Sequence, residues 1–159
     1  MKTLVVVYSR TGNTLSVAKR IANELDVDLE VIEDKTKRKG ILGFLRSGYE
    51  SVRKKVPAIV EPKHNPKDFD LVIIGTPIWA GGMSSPVRAY LLRFRGQFRH
   101  VAFFATSAGG GHDKALGEMA ELAAAKPLAK VDISLNQLRS GNRVEPLRIF
   151  IEAIRSQKL

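Results

Sequence analysis

The stretch LVVVYSRTGNT, residues 4–14, holds the features that decide the fold. Its first four residues form an unbroken apolar run, which is typical of a strand that is covered on both faces. A polar turn follows, and it leads into a helical pattern in which Val17, Ile21 and Leu25 recur every four residues. A buried strand, a polar turn and an amphipathic helix together predict the first β-α unit of an α/β protein.

The same alternation of strand and helix continues along the chain. Unbroken apolar runs return at Leu71–Ile74 and Val101–Ala105, whereas Asp28–Glu33 and Val131–Leu135 alternate apolar with polar residues. Continuous runs belong in the centre of a parallel sheet and alternating runs at its edges. With right-handed crossovers, the order 2-1-3-4-5 satisfies this assignment. The sequence predicts an α/β fold, a doubly wound five-stranded parallel sheet in that order with helices on both faces, in a single domain spanning residues 1–159.

The second crossover, from Asp34 to Asp70, is unusually long. It contains a predicted helix and then a connection with three prolines. The helix is marked by its large apolar residues, which are Ile41, Leu42, Phe44, Leu45, Tyr49 and Val52. Basic residues crowd residues 35–55, and the sequence leaves open whether this segment covers a ligand or binds a partner.

The composition bears on the ligands, the location and the metal content of the protein. Twenty-six Lys and Arg against sixteen Asp and Glu give a net charge of +10, which attracts anions without choosing among them. The absence of cysteine excludes disulfides and favours a reducing, cytoplasmic location. No apolar run approaches the roughly 18 residues that span a bilayer, so no membrane span is expected. The three histidines lack metal-ligand spacing, and no metal site is predicted.

The predicted strand order also places a ligand site. Ligands of open parallel sheets bind beyond the carboxyl ends of the strands, where adjacent connections leave in opposite directions. The first loop there carries hydroxyls, an amide and a glycine at a helix start, and such a start binds phosphate well. No P-loop sequence and no G-x-G-x-x-G fingerprint is present, which disfavours nucleoside triphosphates and a standard dinucleotide site. The candidate phosphate-binding residues are Ser9, Arg10, Thr11, Gly12, Asn13 and Thr14.

Two further loops open at the same point of the sheet. The second loop follows Gly75 and carries the only tryptophan of the chain, whose flat ring could stack on another ring. Its candidate residues are Thr76, Pro77, Ile78, Trp79, Ala80 and Gly81. The third loop offers backbone donors with few side chains in the way. Its candidate residues are Thr106, Ser107, Ala108, Gly109, Gly110 and Gly111.

Taken together, these residues resemble flavodoxin and the flavodoxin-like proteins that bind flavin mononucleotide (FMN). The most specific element is YSRTGNT at residues 8–14, followed by GTPIWAG at residues 75–81 and SPVRAYL at residues 85–91. The resemblance implies that Ser9, Thr11, Asn13 and Thr14 hold the FMN phosphate. It also implies that residues 76–81 line the isoalloxazine ring, with Trp79 against it, and that residues 106–111 contact its pyrimidine side.

Two departures from the electron-carrier flavodoxins bear on function. Those carriers have a tyrosine that covers the outer face of the ring, whereas the third loop here has only small residues and His112. They are also strongly acidic, and this chain is basic. The flavin itself carries the redox chemistry, so no catalytic side chain is predicted.

Three functions remain open at this point. The first is an FMN-binding redox flavoprotein that exchanges electrons with an acidic partner protein; the resemblance implies that Gly81 or Gly82 lets a peptide turn toward the flavin N5. The second is an NAD(P)H-dependent FMN quinone reductase with a small acceptor, suggested by the uncovered third loop. The third and most distant is a basic module for nucleic acid or anionic surfaces, although no nucleic-acid signature accompanies the charges.

Overall fold

The computed structural model describes residues 1–109, 111–141 and 144–157. The strands are β1 Thr3–Val7, β2 Asp28–Val31, β3 Leu71–Trp79, β4 Gly82–Met83, β5 His100–Ser107 and β6 Pro127–Ser134. The α-helices are α1 Asn13–Leu25, α2 Gly40–Val52, α3 Ser85–Arg93, α4 His112–Ala123, α5 Leu135–Arg139 and α6 Glu145–Arg155. A short 3₁₀ turn covers Pro66–Asp68.

The five long strands form one parallel sheet in the order β2-β1-β3-β5-β6. This confirms the predicted flavodoxin-like order. The strands with continuous apolar runs, β1, β3 and β5, lie in the centre, and the alternating strands β2 and β6 form the edges. Central strands are buried on both faces, which explains why their sequences lack polar alternation.

The sheet differs from the prediction in having a sixth, very short strand. Strand β3 runs on to Trp79, and its last two residues pair antiparallel with β4. Ala80 and Gly81 connect them with φ angles of 47° and 77°, the positive values that a tight two-residue hairpin requires. The sequence predicts a loop at residues 76–83. That description is wrong at Ile78–Trp79 and Gly82–Met83, which form a β-hairpin.

The end of the sheet at β6 also departs from the prediction. Strand β6 begins at Pro127, four residues earlier than expected, and it stops at Ser134. Leu135 starts helix α5 because the Ser134 side chain accepts a hydrogen bond from the Gln137 N–H, and the Gln137 side chain accepts one from the Ser134 N–H. This reciprocal capping box terminates the strand.

Two apolar layers sandwich the sheet. On one face, Val5, Val7 and Phe104 pack against α1 and α6 through residues such as Ile21 and Phe150. On the other face, the alternate residues of the same strands pack against α3 and α4; these include Leu4, Val6, Ile74, Phe103, Tyr90, Leu91 and Met119. Within the described ranges, no helix is long and apolar enough to cross a membrane.

Helix α2 lies in the long second crossover and is attached differently from the others. The returning chain runs antiparallel beside residues 33–35, with an isolated bridge between Asp34 and Ile59. The buried residues of α2 are small or polar: Gly43, Ser47, Glu50 and Ser51. Its large apolar residues are exposed instead, by 57% to 82%; they are Ile41, Leu42, Phe44, Leu45, Tyr49 and Val52. These six residues are called the α2 apolar face below.

Candidate functional site

A cleft of about 780 Å³ opens beyond the carboxyl ends of β1, β3 and β5. This is where the strand order predicted a ligand, because the connections after β1 and β3 leave in opposite directions. The volume falls within the range of roughly 300–1,000 Å³ that is usual for small-molecule and cofactor sites. Three chain segments predicted to meet there do so, and a fourth segment, α2, joins them.

The first loop forms the end of the cleft at the start of α1. Gly12 has a φ of 98°, a left-handed conformation that favours glycine. The Gly12 N–H donates to the Ser9 Oγ at 3.0 Å, and the Asn13 Nδ2 donates to the Thr11 Oγ1 at 3.4 Å. Among the described residues, no side chain caps α1. The first N–H groups of the helix therefore keep their donors and their positive dipole end for an anion.

Two buried threonines join the first and third loops across the cleft floor. The hydroxyls of Thr14 and Thr106 lie 2.8 Å apart, within hydrogen-bonding distance. Both side chains also line the cleft. Arg10 lines it too, and its guanidinium carbon lies 5.5 Å from the centre of the Phe44 ring on α2. This end of the cleft combines a cation, hydroxyls and free helix N–H groups, which is a donor set suited to a phosphate.

The β3–β4 hairpin forms one side of the cleft. Of the residues predicted to contact a ligand from this segment, Pro77, Ile78, Trp79, Ala80 and Gly81 line the cleft. Thr76 does not. Its side chain is fully buried, and its Oγ1 accepts a hydrogen bond from the Ser84 N–H at 3.0 Å. The Thr76 side chain therefore holds the hairpin to the start of α3 and is not among the groups that line the cleft.

Trp79 is only partly available to the cleft. It is 9% exposed, and its ring meets Tyr8 edge-on with centroids 5.5 Å apart. The Arg38 guanidinium carbon lies 5.2 Å from the ring centroid. The indole thus packs beneath the hairpin and contributes part of its surface to the cleft. Burial raises the pKa of the neighbouring Tyr8 to about 12.

The third loop forms the opposite side with almost no side chains. Thr106, Ser107, Ala108, Gly109 and Gly111 line the cleft. Gly110 lies outside the described residues. Gly111 has a φ of 81°, and a Cβ there would come within 2.6 Å of the Gly81 Cα. The third loop and the hairpin therefore touch through two glycine backbones, and a side chain would separate them.

Three groups just behind the third loop form a small polar cluster. The Ser107 hydroxyl donates to the Asp132 Oδ2 at 2.9 Å, and the His112 Nδ1 lies 3.2 Å from the same carboxylate oxygen. His112 thus lies beside a residue of β6 and begins α4. Among the described residues, no group of three His, Cys, Asp or Glu side chains is arranged to hold a metal ion.

Several residues that line the cleft were missed by the sequence analysis. They are Phe44, Leu45, Ser47 and Gly48 of α2 and Leu135 of α5. One feature of the sequence could have indicated that α2 borders the cleft. Gly43, Ser47 and Ser51 recur every four residues on one side of an otherwise apolar helix. Small residues at that spacing allow a helix to lie close to another chain segment, in this case the β3–β4 hairpin.

Buried ion pairs hold α2 against the rest of the site. The Arg38 guanidinium donates to Asp34, to Glu50 Oε2 at 2.5 Å and to Ser85 Oγ at 3.2 Å. Ser85 in turn donates to Glu50 at 2.9 Å. These four residues, Asp34, Arg38, Glu50 and Ser85, are called the anchor cluster below. Arg38 and Asp34 are almost wholly buried.

The anchor cluster remains charged in the folded protein. Burial alone would raise the pKa of Glu50, but hydrogen bonds from Arg46, Arg38 and Ser85 outweigh it and lower that pKa. Burial alone would likewise lower the pKa of Arg38, but its bonds to Asp34 and Glu50 raise it. Arg38 and Glu50 are therefore held in their charged forms at neutral pH, and the cluster fixes which side of α2 faces inward.

The described residues fit FMN. The cleft has one end with uncapped helix N–H groups for a phosphate, and it continues between the hairpin and the third loop into an apolar part walled by Ile78, Phe44 and Leu45. Gly81 and Gly111 both line the cleft and are in close backbone contact, so neither places a side chain in it. An anion at one end and a flat apolar group at the other are the two halves of a flavin mononucleotide.

Comparisons with known proteins agree with this fit. The family model described as NADPH-dependent FMN reductase matches residues 1–137. A flavoprotein from Lactobacillus acidophilus NCFM, solved in complex with FMN, is 24% identical with a TM-score of 0.73, covering 82% of this chain and 92% of its own. A proposed flavoprotein from Bacteroides eggerthii DSM 20697 is 24% identical with a TM-score of 0.78, covering 98% and 99%.

A short-chain flavodoxin associated with a bacterial microcompartment has the same fold at 16% identity. Its TM-score is 0.59, and the match covers 98% of this chain and 97% of that one. No curated protein matches the chain. The family model covers most of the chain, including the first, second and third loops. The chain therefore belongs to the family of NADPH-dependent FMN reductases and is an FMN-binding redox flavoprotein.

Proposed function

We propose that the protein is an NAD(P)H-dependent FMN oxidoreductase that passes electrons to a small acceptor such as a quinone. One observation carries this proposal. Residues 106–109 and 111 present only Thr, Ser, Ala and Gly to a cleft of about 780 Å³, so no aromatic ring from them covers one side of it. A flavin there keeps one face accessible to a second planar molecule. The family model, which describes NADPH-dependent enzymes, supports the same choice.

The phosphate of FMN is assigned to the first loop. Its binding group comprises Ser9, Arg10, Thr11, Gly12, Asn13 and Thr14, and no described side chain caps the N–H groups at the start of α1. Ser9 shapes the turn through its bond to the Gly12 N–H. Thr11, Asn13 and Thr14 face the cleft, and the Arg10 cation adds charge complementarity.

The isoalloxazine ring is assigned to the space between the hairpin and the third loop. Residues 77–81 supply one wall and residues 106–109 with Gly111 the other, while Phe44 and Leu45 supply apolar contact from α2. Thr76 acts indirectly because it fixes the hairpin through Ser84. Bound FMN supplies the hydride and electron chemistry, and the chain binds, orients and shields it.

The phosphate assignment can be tested with ligands that differ only in that group. We expect the protein to bind FMN at least about tenfold more tightly than riboflavin, because charge-assisted hydrogen bonds are worth roughly 1.5–3 kcal/mol each. Thr11→Val should weaken FMN binding by roughly tenfold and leave riboflavin binding unchanged. Ser16→Ala, which removes an exposed hydroxyl from the first turn of the adjoining helix α1, is the control. Equal affinity for the two flavins in wild-type protein would contradict the assignment. The readout is quenching of flavin fluorescence.

The reductase activity can be tested with the FMN-loaded protein. NADPH or NADH should reduce its flavin in the absence of oxygen, and adding a quinone should sustain steady oxidation of the nucleotide. Each turnover transfers a hydride, which carries two electrons and one proton, from NAD(P)H and gives NAD(P)⁺. One further proton from the solvent completes the conversion of the quinone to the quinol. Reduction no faster than that of free FMN would rule out this activity.

A one-electron carrier is the second candidate, and the hairpin tip favours it. Gly81 has a φ of 77°, and no described atom outside its chain neighbours lies within 4 Å of a Cβ built there. Glycine at this position tolerates the changes of backbone conformation by which a peptide could turn toward a flavin N5. The excess of basic residues would then select an acidic redox partner protein. Anaerobic photoreduction separates the candidates: a carrier accumulates a one-electron-reduced flavin, whereas a direct two-electron conversion supports the reductase.

A further inference from the structure

The orientation of α2 is built into the fold. The anchor cluster holds Glu50 on the inner side, and the Ser51 hydroxyl donates to the Met83 carbonyl at 3.0 Å. Gly43 packs so closely that a Cβ would lie 2.2 Å from the Arg38 carbonyl carbon. Turning the helix to bury its apolar residues would expose these contacts and bring bulky side chains against the Arg38 backbone. The α2 apolar face therefore remains outward in the folded protein.

This exposure is too large to be incidental. Six large apolar side chains on consecutive turns are each more than half exposed. Contiguous apolar patches on a protein surface usually mark a site of association with another protein or a membrane. Phe44 and Leu45 also line the cleft, but Ile41, Leu42 and Val52 are not among its lining residues. A bound cofactor leaves those three exposed.

Strong positive charge surrounds the α2 apolar face. Residues 35–56 contain eight Lys and Arg and a single acidic residue, Glu50. Glu50 is paired with Arg38 inside the anchor cluster. Lys35, Lys37 and Lys39 precede the helix, and Arg46, Arg53, Lys54 and Lys55 lie within or after it; all seven are exposed. This segment holds most of the excess positive charge of the chain.

We propose that the α2 apolar face docks on the surface of a membrane that contains anionic lipids. The pattern is that of an interfacial helix, with Ile, Leu, Phe, Tyr and Val on one side and Lys and Arg around them. The apolar side chains enter the headgroup region, and the basic side chains pair with lipid phosphates. Because Phe44 and Leu45 belong to both surfaces, docking brings the mouth of the cleft to the lipid surface.

The composition of this surface argues against two other occupants, a second copy of the chain and a different protein. A second copy would bring two segments of this strongly basic kind against each other, which is electrostatically unfavourable. A protein partner is normally recognised through about one hydrogen bond per 100–200 Å² of interface. The side chains of the α2 apolar face offer only one polar atom, the Tyr49 hydroxyl. A fluid anionic surface needs no matching pattern of donors and acceptors.

The test is sedimentation of the FMN-loaded protein with vesicles. The protein should bind vesicles of mixed phosphatidylcholine and phosphatidylglycerol and should not bind pure phosphatidylcholine vesicles. Leu42→Asp should weaken binding by roughly tenfold or more, since it replaces a buried apolar contact with a charge. Ile149→Asp, at a 55% exposed position on α6, is the matched control and should bind like wild type. Unchanged FMN affinity and circular dichroism establish that each variant is folded.

A second pair of variants tests the charges. Lys37→Glu with Lys39→Glu should reduce binding to the anionic vesicles by at least about tenfold. Lys19→Glu with Lys114→Glu makes the same change in net charge at exposed positions on α1 and α4 and should have little effect. Equal loss in both double variants would indicate adsorption by net charge and overturn the proposal.

Three further outcomes would also overturn it. The first is failure of the wild-type protein to bind anionic vesicles. The second is vesicle binding that Leu42→Asp leaves unchanged. The third is a dimer, detected by light scattering, that Leu42→Asp converts to monomer, which would assign the face to a second copy of the chain. None of these outcomes depends on the reductase activity, so the two proposals fail separately.

Discussion

Helices α1 and α2 are both 13 residues long and both border the cleft, but they attach to the molecule in opposite ways. Helix α1 buries Val17, Ala18, Ile21 and Ala22 against the sheet. Helix α2 buries small and polar residues and turns its apolar face to the solvent. An amphipathic pattern therefore shows that a helix has two faces, and the partners available inside the fold decide which face is buried.

The comparison predicts that the two helices depend on different interactions. The strongest expected effect is at Arg38, because removing its cation leaves Asp34 buried without a counter-charge and leaves Glu50 paired only with Arg46. Arg38→Met should lower the free energy of unfolding by about 3–5 kcal/mol, measured by urea denaturation. Arg46→Met removes a pair whose cation is 56% exposed, and it should cost about 1 kcal/mol or less. Equal effects of the two variants would mean that the anchor cluster does not hold α2.

The second prediction concerns the truncation of one apolar side chain on each helix to alanine. Ile21 is fully buried on α1, whereas Leu42 on α2 is 82% exposed. Ile21→Ala should lower the free energy of unfolding by about 2–5 kcal/mol, because it removes apolar contacts and leaves a cavity. Leu42→Ala should change it by no more than about 0.5 kcal/mol. A large loss at Leu42 would show that the α2 apolar face is covered in the isolated protein.

The third prediction concerns the removal of one serine hydroxyl from each helix. Ser51 on α2 is buried and donates to the Met83 carbonyl, whereas Ser16 on α1 is exposed and donates to the Asn13 carbonyl. Ser51→Ala leaves a buried carbonyl with one partner fewer, at a cost of about 1–3 kcal/mol. Ser16→Ala should cost about 0.5 kcal/mol or less, because water replaces the lost donor. The same denaturation experiment measures both, and a reversed order would contradict the polar attachment of α2.

The smallest effect on global stability is expected from acidification, which protonates Glu50. The pKa of Glu50 is lowered in the folded protein from an ordinary value of 4.5. Its contribution is therefore present above about pH 4.5 and is lost as the pH falls through the folded pKa. Amide hydrogen exchange, corrected for its intrinsic pH dependence, should increase in α2 on acidification before it does so in α1. Glu50→Gln should abolish this difference, and parallel opening of both helices would contradict it.

The strand order could be predicted because a strand that is buried on both faces consists almost entirely of apolar residues. Leu4–Val7, Leu71–Ile74 and Val101–Ala105 contain no polar residue, and these runs form the three central strands. The order then fixed the position of the cleft, and the loops named in advance meet there. The hairpin at Ala80–Gly81 was missed because Ala carries no sequence signal for a positive φ.

The role of α2 could not be predicted from local pattern. Its orientation depends on Arg38, Glu50 and Ser85, which are far apart in sequence and meet only in the folded chain. The side chain of Thr76 illustrates the same limit. Its bond to the Ser84 N–H depends on the turn between them, and a hydroxyl at the end of a strand looks the same whether it faces a ligand or its own backbone.

The position of Trp79 gives the molecule a built-in optical probe. It is the only indole of the chain, and it contacts the Arg38 guanidinium on one side and the cleft on the other. Flavins absorb light at the wavelengths where indoles emit, so loading of the cleft should extinguish this emission by energy transfer. Loosening of the buried arginine should instead shift the emission to the red, as water reaches the ring. One fluorophore can thus report cofactor loading and helix detachment as two separable spectral changes, without any label.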